Sequence, residues 1–571
     1  MSEKWIDEMD ESRRTGSFFI FITGGIMSSL GKGIASASIG TLLQARGYAV
    51  RMKKLDPYIN VDPGTMSPYK HGEVFVMGDG CEADLDFGHY ERFTGLQCTA
   101  NDSLTTGKIY EKVLAQERRG DYLGSDIQVI PHITNEIKRF IMDGHELVDF
   151  TICEIGGTVG DIEGLPYIEA IRQLRIDLGV FRIACIHLTY LPYLKTSEEL
   201  KTKPTQHSVK LLQSMGVQPD IILCRSEKDI NDDIKTKLSM FCNVKKENIV
   251  AALDVENIYL VPHKYHLAGL DRQVCDHFGL LDQKLEKLVE ENIKEKWVNI
   301  EHAICTPSKT VRIAVVGKYT KLKDAYISLS QAINHGAIAN EARVEIYFVD
   351  AKKSSQNLED ELCNVSGILV PGGFDSSGVE GKITAIKFAR ENKIPFLGIC
   401  LGLQLAVIEA CRNVAGVKDA TSREFSDEGE IVIDFMNSWE SDGLAEFRLP
   451  SDNKGGTMRL GSYRCKISGD SLAYKIYGAT EITERHRHRF EVNIKKYREL
   501  FEIAGLKFSG MSMDGLLPEI VERRFHPFFI ATQAHPEFQS HPFAPHPLFT
   551  SFIKAAINYS TIPLFQCAPQ C

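Results

Sequence analysis

The amino-acid sequence predicts an α/β protein with two parallel-sheet domains in series. Two segments, beginning at Phe18 and Val311, read as an apolar strand, a glycine turn and a helix. Each is followed by short apolar runs alternating with amphipathic stretches, the pattern of βαβ units. A chain of 571 residues is also longer than one hydrophobic core organises. Between the two segments, 282–297 carries Leu285, Leu288, Val289 and Ile293 at near-helical spacing, and 299–310 loses periodicity. The predicted organisation is therefore an N-terminal extension over 1–15, a first domain over 16–281, a connection over 282–310, a second domain over 311–560 and a tail over 561–571.

Composition narrows the class. No run approaches the roughly 18 unbroken apolar residues of a membrane span, so no membrane association is expected. Met1 to Thr15 is polar and acidic, unlike a secretory signal or a transit peptide. The 14 cysteines contain no CxxC pair, which suits thiols in a reducing, cytoplasmic setting. A formal charge of -10 argues against nucleic-acid binding, which needs a basic surface.

In the first domain, the run Phe18 to Thr23 leads through Gly24 and Gly25 to Ser28, Ser29, Leu30, Gly31, Lys32 and Gly33, and then to a helical stretch, Ile34 to Arg46. Such a turn points backbone N–H groups at an anion, with Lys32 as the mobile charge. The usual phosphate loop places Ser or Thr after the lysine, whereas Gly33 stands here, so a turn that merely packs a helix on a sheet is the alternative. If Mg²⁺ is bound, Asp86 and Glu154 offer the hard oxygens, solvated surface acids being the bland account. Lys201, Thr202, Lys203, Pro204, Thr205 and Gln206 read as a polar loop ahead of a helix, Val209 to Met215, either a substrate clamp or a solvated connection.

In the second domain, a buried strand ending at Ile399 runs through Cys400, Leu401 and Gly402 into a helix, Leu403 to Arg412. Small residues flanking a nucleophile allow a tight elbow, and the helix N-terminus favours a thiolate. His535 supplies a base and Glu537 a group to orient it, while Gly372 and Gly373 place N–H groups for an oxyanion. Any single cysteine is more often a buried structural thiol; the combination carries the catalytic reading.

At this point the chain resembles the CTP synthases, over roughly Phe18 to Ile557, in the blocks ITGGIMSSLGKGI, KKLDPYINVDPGTMSPYKHGEVFV, EIGGTVGDIEGLP, KTKPTQHSVK, GICLGLQ and ERHRHRFEVN. The resemblance implies a P-loop-like synthetase domain followed by a class I glutamine amidotransferase domain. ATP would phosphorylate UTP and ammonia from L-glutamine would complete CTP, with Mg²⁺ as cofactor. It further implies ATP contacts from Ser29, Leu30, Gly31, Lys32, Gly33, Ile34 and Asp86, phosphoryl-transfer roles for Lys32 and Lys54, and Mg²⁺ ligation by Asp86 and Glu154.

UTP, or CTP as feedback inhibitor, would meet Ser28, Asp161, Ile162, Glu163, Lys201 to Gln206 (Lys201, Thr202, Lys203, Pro204, Thr205, Gln206) and Lys237. Glutamine would meet Gly373, Leu401, Gly402, Leu403, Gln404, Glu424 and Arg489, beside the triad Cys400, His535 and Glu537. The resemblance also implies a homotetramer. The family usually reads Gly-Phe-Gly-x-Arg-Gly where this chain has Gly373 to Gly378, so an arginine tied to activation by GTP is replaced by Ser377, and Ala534 stands where an aromatic often precedes the histidine. Competing readings are another ATP-dependent amidotransferase, acting on a cofactor acid or an NAD precursor, and a filament-forming protein whose sites are relics.

Overall fold

The computed structural model describes residues 16–281, 286–318, 322–374, 376–435, 438–441, 444–447 and 458–561. The N-terminal extension, nearly all of the tail, and Leu285 of the connection lie outside them. The described residues form two compact units, one within 1–62 and 86–301, the other within 63–85 and 302–571.

In the first unit, β1 (Phe18–Gly24), β2 (Val50–Asp56), β3 (Ser103–Thr105), β4 (Phe150–Ile155), β5 (Ile183–Tyr190), β6 (Ile221–Ser226) and β7 (Ile249–Leu253) form one sheet in the order β7-β6-β5-β1-β4-β2-β3. Every pairing is parallel. That explains why β1 reads as the unbroken apolar run FFIFITG: all seven residues are buried, because helices cover both faces of a parallel sheet. Phe19, Phe21, Leu55, Ile137, Tyr167 and Ile171 fill one of the two interfaces. The helix α1 (Lys32–Ala45) follows β1 directly and carries the glycine turn at its N-terminus.

The second unit holds a nine-stranded mixed sheet. Its strands are β8 (Lys309–Gly317), β9 (Ala342–Asp350), β10 (Gly367–Val370), β11 (Phe396–Ile399), β12 (Arg459–Ile467), β13 (Glu481–His488), β14 (Leu506–Ser512), β15 (Pro518–Arg523) and β16 (Phe529–Thr532), in the order β9-β8-β10-β11-β16-β15-β14-β12-β13. The first five are parallel and the rest antiparallel. β11 and β16 lie side by side at the centre, so the residues that follow them, Cys400 and Gln533 to Glu537, emerge at one edge of the sheet.

Two features differ from the sequence reading. Residues 63–85, read as part of the first domain, pack in the second unit. There the Phe75 ring meets Phe538 at 5.2 Å, Glu82 pairs with Arg487 at 2.7 Å, and Arg485 donates to the Val76 carbonyl. Linear order does not reveal such an excursion. The stretch 299–310, read as aperiodic, begins with a helix, Asn299–Cys305. The apolar stripe continues through Val289, Ile293, Trp297 and Ile300, all buried, but only Ile300 falls inside the window that looked irregular.

Trp297, with 1% of its surface exposed, packs its ring 5.5 Å from Phe93. Trp297→Ala should cost about 3 to 5 kcal/mol through the cavity it leaves. Calorimetry should show a lowered transition for the unit that contains it; an unchanged thermogram would mean that the helix is peripheral to that core.

Candidate active sites

In the first unit the glycine turn is held in conformations that glycine and strain permit. Gly31 has φ 93 at the N-cap of α1, and Ser29 has φ 59. The Lys32 ammonium donates to the Gly157 carbonyl at 2.5 Å. Burial holds it below the usual lysine range, with Glu154 opposing that shift. Arg225 steadies the turn by donating to the Ser29 and Leu30 carbonyls, both at 3.1 Å.

Gly33 explains its own departure from the phosphate-loop pattern. A Cβ there would lie 1.9 Å from the Asp86 carboxylate, so Asp86 occupies the space that a serine or threonine side chain would take. Lys54 joins the two acids: its Nζ donates to Asp86 and, at 2.7 Å, to Glu154. Tyr90 and Ser36 donate to the other Glu154 oxygen. Burial and the neighbouring Asp86 push the Glu154 carboxyl up to about 7, although Lys54 pulls the other way. Two carboxylates beside a phosphate turn suit Mg²⁺, which takes one or two protein acids and completes its shell with phosphate oxygens and water. No group of three or more His, Cys, Asp or Glu residues able to hold a metal occurs among the described residues.

The proposed clamp is not a free loop. The helix α2 (Lys203–Ser214) starts inside it, and Pro204 fits the first turn because its missing N–H would have no helical acceptor there. Thr205 and Gln206 are buried; Thr205 donates to the Tyr190 carbonyl at 3.1 Å and Gln206 to Thr202 at 3.0 Å. Lys201 remains at the surface paired with Glu199, and Lys237 also acts on Glu199 electrostatically. Asp161 accepts from the Thr158 N–H and caps a short turn that exposes Ile162 and Glu163. Among the described residues, no hydrogen bond or ion pair joins this turn to Lys201 or Lys237.

Sequence reading passed over a buried chain beneath the turn. Thr23 meets His187 Nδ1 at 2.8 Å, and His187 Nε2 meets Ser208 of α2 at 2.8 Å. Gly25 lies against it so closely that a Cβ would fall 1.5 Å from the Ser208 hydroxyl. Only the histidine in an otherwise apolar strand hinted at this.

The second unit builds a strained elbow between β11 and α3 (Leu401–Asn413). Cys400 has φ 51 and ψ -103, a conformation that costs energy in any residue but glycine. Its neighbours must be small: a Cβ on Gly402 would lie 2.2 Å from the Val370 carbonyl, and one on Gly398 2.8 Å from Ala531 Cβ. The Cys400 N–H is anchored on the Thr532 carbonyl at 2.7 Å, which ties the elbow to β16. His535 follows β16, and its Nδ1 lies 2.7 Å from Glu537 Oε1. Its Nε2 is buried, and Cys400 acts on the ring electrostatically. Burial opposes a charge on His535, but Glu537 and Cys400 outweigh it and push its pKa up to about 10.

Gly372 lies against the triad, since a Cβ would come 2.6 Å from the His535 ring. A cavity of about 610 Å³ opens beside it, lined by Gly373, Glu424, Arg489, His535 and Glu537, and walled by Gly64 to Met66 of the excursion. Burial lowers the Arg489 guanidinium, with Glu82 and Glu424 partly restoring it. Leu403 points into the core, and the Gln404 amide donates to the Phe490 carbonyl at 3.0 Å. Ala534 is buried beside the histidine, whose ring stacks on Phe538 at 5.3 Å.

Alternation along β13 separates two sets of side chains. Glu484 accepts from Tyr477 and meets His546, and His486 meets His488, whereas Arg485 and Arg487 hold the excursion. The excursion's place at the cavity had no sequence signal.

The description "CTP synthase N-terminus" matches residues 18–280 and "Glutamine amidotransferase class-I" matches residues 321–555. The chain is 55% identical over 553 residues to a CTP synthase of Caulobacter vibrioides, covering 95% of this chain and 99% of that one. It is 54% identical over 545 residues to a CTP synthase of Brucella ovis, with the same coverage. Among solved structures, the glutaminase domain of Trypanosoma brucei CTPS with bound acivicin is 38% identical, covers 46% of this chain and 97% of that chain, and superposes with a TM-score of 0.40.

The His535 charge gives a pH dependence with a defined sign. Its folded pKa, near 10, lies above its unfolded value of about 6.5. The stabilisation is therefore complete below about pH 6.5 and disappears as pH rises through about 10. Relative to the parent, Glu537→Gln should be most destabilised near the lower pH and should converge on it toward the higher, as read by thermal melting. A deficit constant across that window would contradict the ion pair.

Proposed function

The chain belongs to the CTP synthase family, and from that premise we propose that its first unit phosphorylates UTP with ATP while its second hydrolyses glutamine to supply the ammonia. The observation that carries this reading is a single chain holding both a lysine-bridged acid pair at a phosphate turn and a Cys-His-Glu triad at an elbow. Sites built for two different chemistries in one protein suit a reaction that must join their products.

In the second unit, His535 takes the Cys400 proton and the sulfur attacks the glutamine carboxamide. The oxyanion that forms is met by N–H groups around Gly373 and Leu401, the latter opening α3 with no helical acceptor for its own N–H. His535 returns the proton to the departing ammonia, and water then cleaves the thioester to give glutamate. Arg489 and Glu424 suit the α-carboxylate and α-amine of the substrate.

In the first unit, the turn Ser29 to Ile34 receives the ATP phosphates, and Lys32 and Lys54 gather charge around the phosphoryl group. Asp86 and Glu154 would hold Mg²⁺, which supplies charge neutralisation on the phosphates when bound. The uracil O4 attacks the γ-phosphorus with loss of ADP; ammonia then attacks C4 with loss of phosphate. Ser28, Asp161, Ile162, Glu163, Lys201 to Gln206 and Lys237 would contact UTP or inhibitory CTP. Because Thr205 and Gln206 are already engaged inside the unit, their part is to fix the start of α2, which aims the backbone. The assembly would be a cytoplasmic homotetramer.

With UTP, ATP, Mg²⁺ and glutamine, the full chain should raise the absorbance due to CTP. Cys400→Ala should lose the glutamine-dependent rate by at least about a thousandfold and keep the ammonium-dependent one. Lys54→Met should lose CTP formation with either nitrogen source. Normal turnover of Cys400→Ala with glutamine would overturn the rear assignment.

Ser377, just before the helix that opens at Val379, bears on control. GTP should stimulate glutamine-dependent synthesis by the parent less than by Ser377→Arg, as measured by initial rates with saturating UTP and ATP. Equal stimulation would place GTP recognition elsewhere.

A further inference from the structure

We propose that Gln533 is a further catalytic residue, whose side-chain amide donates to the Cys400 sulfur and stabilises it as the thiolate during glutamine attack. The inference rests on Cys400 being the glutaminase nucleophile and gives that thiolate a partner beyond the triad. Gln533 directly follows β16 and is fully buried, and its Nε2 lies 3.7 Å from Cys400 Sγ.

The orientation of this amide is set by its neighbours. Gln404 Nε2 is 3.0 Å from the Phe490 carbonyl, which only accepts, so that atom must be the nitrogen. The same Nε2 lies 3.4 Å from Gln533 Oε1. The Gln533 oxygen therefore faces Gln404, and its nitrogen faces sulfur. The main chain is held as well, with the Gln533 N–H donating to the Glu519 carbonyl at 2.8 Å.

The sulfur has a second polar neighbour, the Arg487 carbonyl at 3.8 Å, which suits a neutral thiol because it can only accept. Once the proton moves to His535, that carbonyl faces an anion and repels it. The Gln533 N–H then offers the compensating dipole from a site closed to water, where a fixed donor to a charged group counts for more than in solution. Gln404, in addition to any contact with substrate, acts as a positioning residue through Gln533.

The test uses the full chain carrying Gln533→Met, which keeps length and removes the donor, and Gln533→Glu, which keeps shape and places a carboxylate by the sulfur. Alkylation of Cys400 by iodoacetamide is followed by peptide mass between about pH 6 and 9. In Gln533→Met the rate at neutral pH should fall about tenfold and the profile should move to higher pH, as expected for losing one hydrogen bond to a charged group. Gln533→Glu should be slower still. The glutamine-dependent kcat should fall in parallel, with KM changed less than about twofold, and ammonium-dependent synthesis serves as the folding check. Gln404→Leu should shift the alkylation profile in the same direction, since a role in substrate binding alone would leave it in place. A profile superimposable on the parent's in either folded Gln533 variant overturns the proposal. Turnover of glutamine by Cys400→Ala would instead strike the nucleophile assignment and is scored separately.

Discussion

Both sites depend on backbones approaching too closely for side chains. At the first, Gly33 leaves the space into which the Asp86 carboxylate settles. At the second, Gly398 and Gly402 let the chain reverse from strand to helix within a gap bounded by Val370 and Ala531. The strain that results is concentrated at Cys400, and it survives because β11 and β16 flank the turn and the Cys400 amide is bonded to β16. Remove these glycines and neither acid nor thiol can reach the position its chemistry needs.

A second constraint is the placement of charge away from water. Lys54 is nearly enclosed by Asp56, Asp86 and Glu154, and Arg459 lies between Glu491 and Glu519, so each of these buried cations faces more than one acid. Such clusters are costly to assemble and intolerant of losing one member. Around Lys54, burial and Asp86 push the Glu154 carboxyl up to about 7; at His535 the neighbouring acid and thiol favour the imidazolium. Similar burial thus raises a carboxyl in one unit and is outweighed by an acid and a thiol beside a histidine in the other.

Much of this was legible in the sequence, because strand-turn-helix units write their apolar runs and glycines locally. The sheet strands β1 and β11, the phosphate turn, Cys400, and the His535–Glu537 pair all announce themselves within a few residues. The start of α2 was not, since KTKPTQ is polar and contains a proline, yet proline in a first helical turn is permitted. The helix Asn299–Cys305 was hidden by its shortness, with only Ile300 of its residues buried. Tyr90, Arg225, His187 and Gln533 act through partners 64, 196, 164 and 133 positions away, and no local pattern encodes such pairs.

The excursion 63–85 makes the second unit a composite of two stretches of gene. Gly64 to Met66 wall the cavity beside the thiol, and Arg485 and Arg487 are occupied in gripping residues encoded far upstream. Recombination that exchanged only the rear halves of two relatives would therefore join one parent's pocket floor to the other parent's wall. The module that builds this pocket is therefore discontinuous even though the polypeptide is not.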